Sequence, residues 1–408
     1  MSGRDGRESE EGTDAGGSPS TSAASGRLDG AKGLMPSVTE ILGRLVGVES
    51  PSRDEAGLLA ATSVLADEAG RRGGRVSRIP APGYGQHLLA DFGAVDFGSP
   101  EDGELAAHPL LVVGHLDTVH PRGTLDRCPF RREDDRLCGP GIYDMKGSWA
   151  AAVGALDLLA IEGRSPRPMR WFVSCDEEVG ALHSRPHLEA EGRQARGALV
   201  LEPPLPGGAM KVRRKGVARY ALHVKGRAAH AGVDPERGAN AIHELTRVVV
   251  RALEAANSLE GTTVSVGLIR GGSAVNVVAG DAWAELDVRF WTEDDGRRVD
   301  RWIREIRSED GRCEIEVEGG VDRGALEPNE RNAGLVAAIR EEAAALGRSL
   351  GAGATGGASD AQILSGVGCP VADGLGIEGG GAHTLEEHLL IADLPFRIAL
   401  YAALFSTL

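Results

Sequence analysis

Apolar positions keep two rhythms along the chain. In the first, stretches of helical spacing alternate with short apolar runs. Ile41, Leu42, Leu45 and Val46 recur at helical intervals behind Ser37-Val38-Thr39-Glu40, which has the spacing of a capping box. A second amphipathic stretch covers 55–71, followed by alternating runs at 75–79 and 87–92. The run Leu110-Leu111-Val112-Val113 comes next, then an Ala-rich helix over 148–161, then apolar runs at 171–174 and 198–201. Helices interleaved with runs of strand length predict an α/β unit whose sheet is covered on both faces.

The second rhythm occupies the middle of the chain. Tyr220, Leu222 and Val224 alternate with polar neighbours, 239–257 is helical and 263–268 has strand character. Ala282, Ala284, Leu286, Val288 and Phe290 then share one face of a strand, 294–308 is helical, and 313–317 alternates again. That order is the ferredoxin-like βαββαβ arrangement, which predicts a compact insert over 213–321. Helices at 329–346, 359–364 and 394–405 return to the first pattern. The α/β domain is therefore expected in two parts, 34–212 and 322–408, around the insert. Residues 1–33, rich in Gly, Ser and acids, read as a disordered tail.

Composition narrows the function. The 408 residues carry 45 Lys+Arg against 60 Asp+Glu, a net charge of −15, which argues against nucleic-acid binding. The basic stretch Lys211-Val212-Arg213-Arg214-Lys215 reads as a strand lead-in. No window approaches the length of a membrane span and no secretory pattern opens the chain, so a soluble cytoplasmic protein is expected. The five cysteines are widely spaced and form no C-x-x-C, which indicates neither a disulfide framework nor a thiolate zinc site. Cys138, close before Asp144, reads as packing, with a metal or redox contact as the alternative.

The chemistry gathers at strand ends, where open α/β sheets bind ligands. His115 and Asp117 follow the run at 110–113, two residues apart and so on one side of an extended chain. The carboxylate can fix the tautomer of a ligating imidazole. A glycine-rich loop, Gly139-Pro140-Gly141-Ile142-Tyr143-Asp144-Met145-Lys146-Gly147, lacks the spacing of a phosphate cradle. Asp176-Glu177-Glu178 closes the run at 171–174, although three adjacent acids also make a solvated turn. Glu202 closes the run at 198–201, and His383 lies in the loop Gly379-Gly380-Gly381-Ala382-His383-Thr384. Together these are nitrogen and oxygen ligands suited to two divalent cations sharing a carboxylate.

In that order, these segments resemble the co-catalytic zinc family of glutamate carboxypeptidase, acetylornithine deacetylase and succinyl-diaminopimelate desuccinylase, with Ala229-His230-Ala231-Gly232 as a further match. The resemblance spans 34 to the C-terminus. It implies a zinc-exopeptidase-like catalytic domain with a mostly parallel sheet, interrupted by a lid and dimerisation domain. It implies two Zn²⁺ per subunit, with Co²⁺ or Mn²⁺ as alternatives. One ion would be held by His115, Asp144 and Glu202, the other by Asp144, Glu178 and His383, with Asp144 bridging and its following peptide cis.

By the same resemblance, Glu177 is the general base and Asp117 orients His115. His230 is donated from the partner of a homodimer to polarise the scissile carbonyl, and Asn276 reaches across with it. Arg289 grips the substrate carboxylate, although a surface strand charge is the plain alternative. Lys215 and the loop 356–360 are further substrate contacts. The remaining histidines, including His87, His120, His183 and His187, match no ligand and read as surface or packing. The loop at 139–141, the Arg214-Lys215-Gly216 lead-in and the segment 226–230 favour the glutamate carboxypeptidase branch. The expected reaction is then amide hydrolysis of dipeptides or N-acyl amino acids with a free C-terminal carboxylate. A deacylase of the acetylornithine or succinyl-diaminopimelate type is the alternative, and a non-catalytic metal-binding relative the remote one. The expected partners are that small substrate and a second copy of the chain through the insert, with neither nucleic acid nor membrane.

Overall fold

A computed structural model describes residues 19–93 and 108–408. Its central sheet has six strands in the order Arg75–Ala81, Gly85–Phe92, Met169–Ser174, Leu110–His115, Gly197–Val200, Val371–Ala372. The last four run parallel to one another, and the second is antiparallel to the strands on both its sides. All six residues of Leu110–His115 are buried, as the uninterrupted apolar run requires of a strand covered on both sides.

Alternation divides these strands between two cores. Leu110, Val112, Trp171, Val173 and Leu199 pack with Trp149 and Ile398 on one face. Leu111, Val113, Phe172, Ala198 and Val200 pack with Leu188 and Leu364 on the other. Helix Gly147–Ile161 is buried on nearly every side because it lies between the sheet and helices Met35–Val46 and Leu394–Thr407.

The middle of the chain forms a four-stranded antiparallel sheet ordered Thr263–Gly271, Asp281–Phe290, Gly216–Lys225, Glu314–Arg323. Helices Ala241–Asn257 and Glu293–Arg304 cover one face, over a core of Leu222, Val224, Leu245, Leu286 and Val288. This is the βαββαβ order read from the sequence. Strand Met210–Arg214, which the sequence places partly in the insert, pairs instead with Ala352–Thr355 of the catalytic part, and the last insert strand continues to Arg323.

Two further expectations are corrected. A helix spans Pro19–Gly33, within the segment read as a disordered tail. It is held because Ala31 is buried in the main core and Arg27 forks onto Glu162 at 2.8 and 2.6 Å. Residues 1–18 of that segment lie outside the described residues. Ser37 is not an N-cap: helix Met35–Val46 already begins before it, after Leu34, without a side-chain cap. A capping box does form at Ser359, whose hydroxyl and the Gln362 side chain close the start of helix Asp360–Gly366.

Candidate functional site

Three parallel strands end at one edge of the central sheet, and three groups of candidate residues follow from them. His115 is the last residue of its strand, Asp176-Glu177-Glu178 follows Ser174, and Glu202 stands two residues after Val200. Asp144 arrives from the turn ahead of helix Gly147–Ile161, and the Asp144–Met145 peptide is cis. His383 comes from the C-terminal part in a left-handed conformation, φ +65°, a sparsely populated region for a non-glycine residue.

These side chains converge. His115 Nε2 lies 3.1 Å from Asp144 Oδ1 and 3.7 Å from Glu202 Oε1. His383 Nε2 lies 3.4 Å from Asp144 Oδ2 and 3.4 Å from Glu178 Oε2. One donor atom each from His115, Asp144 and Glu178, and likewise from His115, Glu177 and Glu202, fall within 4.8 Å of one another. Asp144 thus presents one oxygen to each histidine, the arrangement a carboxylate shared between two cations would adopt. The imidazole and carboxylate donors suit a divalent transition metal, so the site fits such a pair.

The charge state agrees. Burial and the neighbouring Asp144 push the Glu202 carboxyl up to about 8. Burial would also raise Asp144, but hydrogen bonds with His115 and His383 hold it well below the usual carboxylate range. Bonds to Asp144 and Glu178 raise His383 to about 10. Acids crowded like this repel one another unless cations stand among them.

Asp117 meets His115 through its main chain as well as its carboxylate. The nearer acceptor for His115 Nδ1 is the Asp117 carbonyl at 2.9 Å, with its carboxylate at 3.5 Å. Nδ1–H therefore donates to that carbonyl, which turns Nε2 toward Asp144 and Glu202. The Asp117 carboxylate accepts from Ser52 Oγ at 2.7 Å and from the backbone N–H of Glu177 and Glu178, each at 3.1 Å. It shapes the loop that carries both glutamates, and burial pushes it up to about 7.

Several further charged residues meet at the site, and for Arg323 and Glu387 the sequence carries no signal. Arg323, the buried last residue of the insert's final strand, donates from Nη1 to Glu177 Oε1 at 3.0 Å and lies 3.5 Å from Asp360. Arg214, equally buried, bonds Asp373 and lies 3.5 Å from Glu202. Glu387 and His120 form a buried pair at 2.6 Å beneath the loop that carries Asp144. Arg323 ends an ordinary alternating strand and Glu387 follows another acid, so nothing local distinguishes them.

The remaining expected residues lie apart from this cluster. Arg289 occupies the helix-free face of the insert sheet and holds Asp287 at 2.7 and 2.9 Å. Lys215 is its cationic neighbour and sits over the Trp291 ring. His230 and Asn276 are exposed at one corner of the insert, joined through Ala231 N and Asn276 O at 2.9 Å. His230 Nδ1 accepts from the N–H groups of Gly232 and Val233, so the neutral ring carries its proton on Nε2. In the loop 356–360, the carbonyls of Gly357 and Ala358 accept from Arg214. Cys138 Sγ–H points to Glu133, away from the cluster. His87, read as surface or packing, is buried among His183 and His187, and burial lowers it to about 4.

The sequence profile of peptidase family M20/M25/M40 matches residues 111–407. Carboxypeptidase G2 of Pseudomonas sp. (strain RS-16) is 30% identical over 378 residues, covering 90% of this chain and 88% of its own length. A succinyl-diaminopimelate desuccinylase of Gluconacetobacter diazotrophicus is 31% identical over 318 residues, covering 72% of this chain and 80% of its own. Among solved structures, aminopeptidase PepT of Bacillus cereus ATCC 10987 superposes with a TM-score of 0.74 at 20% identity, covering 91% of this chain and 98% of that one.

Proposed function

This chain belongs to peptidase family M20/M25/M40, whose members are metal-dependent hydrolases, and on that premise we propose that it is a di-zinc carboxypeptidase. Its substrates would be dipeptides or N-acyl amino acids with a free C-terminal carboxylate. The observation that carries this reading is the convergence of His115, Asp144, Glu178, Glu202 and His383, beside Glu177, at one sheet edge. His115, Asp144 and Glu202 would hold one cation, and Asp144, Glu178 and His383 the other. When bound, the pair supplies Lewis-acid polarisation of the scissile carbonyl and makes the attacking water more acidic.

The residues of the chain do the rest. Arg323 fixes Glu177 Oε1, which leaves Oε2 to take the proton from the attacking water and return it to the departing amine. The Asp117 carboxylate keeps Glu177 and Glu178 in register by binding both their N–H groups. His230 carries its proton on Nε2 and so is a donor suited to a developing oxyanion. Because His230 lies outside the cluster of its own chain, it would act on the partner's site in a homodimer, with Asn276 beside it. Exposed Leu268 and Ile269 on the edge strand Thr263–Gly271 offer apolar surface for that contact. Lys215 and Arg289 form a cationic pair for the substrate carboxylate, Arg289 exchanging Asp287 for it.

Among the described residues no helix is long and apolar enough to cross a membrane, and all five cysteines are free and buried. A reducing cytoplasm suits such thiols.

The desuccinylase-like relative favours a second reading, a deacylase using the same machinery. Full-length protein reconstituted with Zn²⁺ should release glutamate from N-acylglutamates or cleave dipeptides faster than it deacylates N-acetylornithine or N-succinyl-diaminopimelate. The opposite ranking selects the deacylase, and a zinc-loaded protein inert on all of them overturns both.

A further inference from the structure

Glu387 is a fully buried carboxylate. Such a group is tolerated only where donors satisfy it. Here four donors converge. Oε1 accepts from the backbone N–H of Tyr143 and of Asp144, each at 2.9 Å. Oε2 accepts from the N–H of Gly141 at 2.8 Å and lies 2.6 Å from His120 Nε2. The loop can wrap a side chain this closely because Gly141 is left-handed, φ +70°, and a Cβ there would lie 2.5 Å from Thr118.

The origin of Glu387 gives this clamp its meaning. It follows His383 by four residues, across a turn opened by Gly381 at φ +71° and closed by Thr384 N–H on Gly381 O at 3.0 Å. Strand Gly379–Gly380 pairs with His388–Leu390 at the base of that turn. Both ends of the turn therefore reach one loop. His383 meets the Asp144 side chain, and Glu387 holds the Asp144 backbone from which that side chain projects. Each Asp144 oxygen faces a different histidine, so a small rotation of its backbone would change both distances together.

We propose that Glu387 is a positioning residue that sets the Asp144 carboxylate between the two cations, and that His120 in turn orients Glu387. This rests on the reading of the site as a divalent-cation centre. Groups that fix a metal ligand in this way alter metal affinity by about 10–100-fold when removed.

The test uses the full chain stripped of metal and titrated with Co²⁺, followed by its visible absorption and by chelator competition. Glu387→Gln keeps the shape but sets an amide donor against backbone donors. Its Co²⁺ affinity should fall about 10–100-fold, its absorption band should change, and kcat should fall while KM stays near that of the parent. His120→Gln should shift affinity in the same direction by less. Parent-like Co²⁺ affinity and spectrum in folded Glu387→Gln overturn the positioning role while leaving the metal centre intact. If Glu387→Gln does not fold, weakened Co²⁺ binding in His120→Gln supports the role and unchanged binding overturns it. A parent chain that takes up no Co²⁺ overturns the metal-centre reading and the positioning role with it.

Discussion

Replacing Arg323 by Met probes the contact through which the insert reaches the proposed base. Arg323 lies 3.0 Å from Glu177 and 3.5 Å from Asp360, and it is 4% exposed. At an effective dielectric of about 20, unit charges that close attract by about 5 kcal/mol, an upper bound on the gross gain from one pair. Removing one partner of a buried pair costs about 3–5 kcal/mol because the other charge is left unpaired. Arg323→Met should therefore lose about 3–5 kcal/mol at pH 8, a large share of an ordinary domain's stability. Arg323→Lys keeps the charge but not the fork and should lose about 1.5–3 kcal/mol.

The loss should also depend on pH. Burial holds Asp360 up at about 7 even with Arg323 beside it. A carboxyl raised in the folded state contributes stability that is full below its unfolded pKa, near 3.9, and is lost as pH rises through the folded value. Removing Arg323 raises that folded value further. The cost of the substitution should then be largest near pH 8 and shrink toward pH 5, as the carboxyl takes up a proton in the variant. Urea unfolding of metal-free protein at both pH values measures it. A loss under about 1 kcal/mol at pH 8, or an equal loss at both, would refute the pairing as an energetic contact.

Three further outcomes are expected. Glu177→Gln keeps the contact with Arg323 and should retain both metal ions by elemental analysis, while kcat falls about 10²–10⁴-fold; turnover near that of the parent would show that another group is the base. With His383 raised to about 10 and Glu202 to about 8 in the metal-free protein, metal uptake must displace protons. Affinity should climb from about pH 6 to pH 9, and calorimetry in buffers of different ionisation enthalpy should register proton release; an affinity flat across that range contradicts the assignment of these ligands. His230→Gln should lower kcat by about 10²-fold or more without loss of metal. Mixing it with a Glu177→Gln chain should restore activity in the mixed dimers if the histidine serves the partner's site. A fully active monomer in light scattering would remove that role.

Much of the architecture is legible in the chain because burial imposes a period. The uninterrupted run at 110–113 marks a strand covered on both faces, and alternation over 282–290 marks one covered on a single face. The donor residues are legible for a related reason. Parallel strands all end at one edge, so acids and imidazoles that terminate apolar runs are brought together whatever the detailed packing. Where packing decides, local pattern fails. Ser37 has the spacing of a cap, yet the helix starts ahead of it. Residues Pro19–Gly33, within the Gly- and Ser-rich stretch, still form a helix, because Ala31 and Arg27 find partners in the main domain.

The amino-acid order by itself determined the α/β frame, the βαββαβ insert and the set of nitrogen and oxygen donors, since each is written in periodicity or in residue type at a strand end. Only the tertiary structure decided what surrounds and holds those donors. Arg323 meets Glu177 across 146 positions and Glu387 meets Asp144 across 243. No local preference marks either residue, because a buried charge is explained only by the partner that folding brings to it.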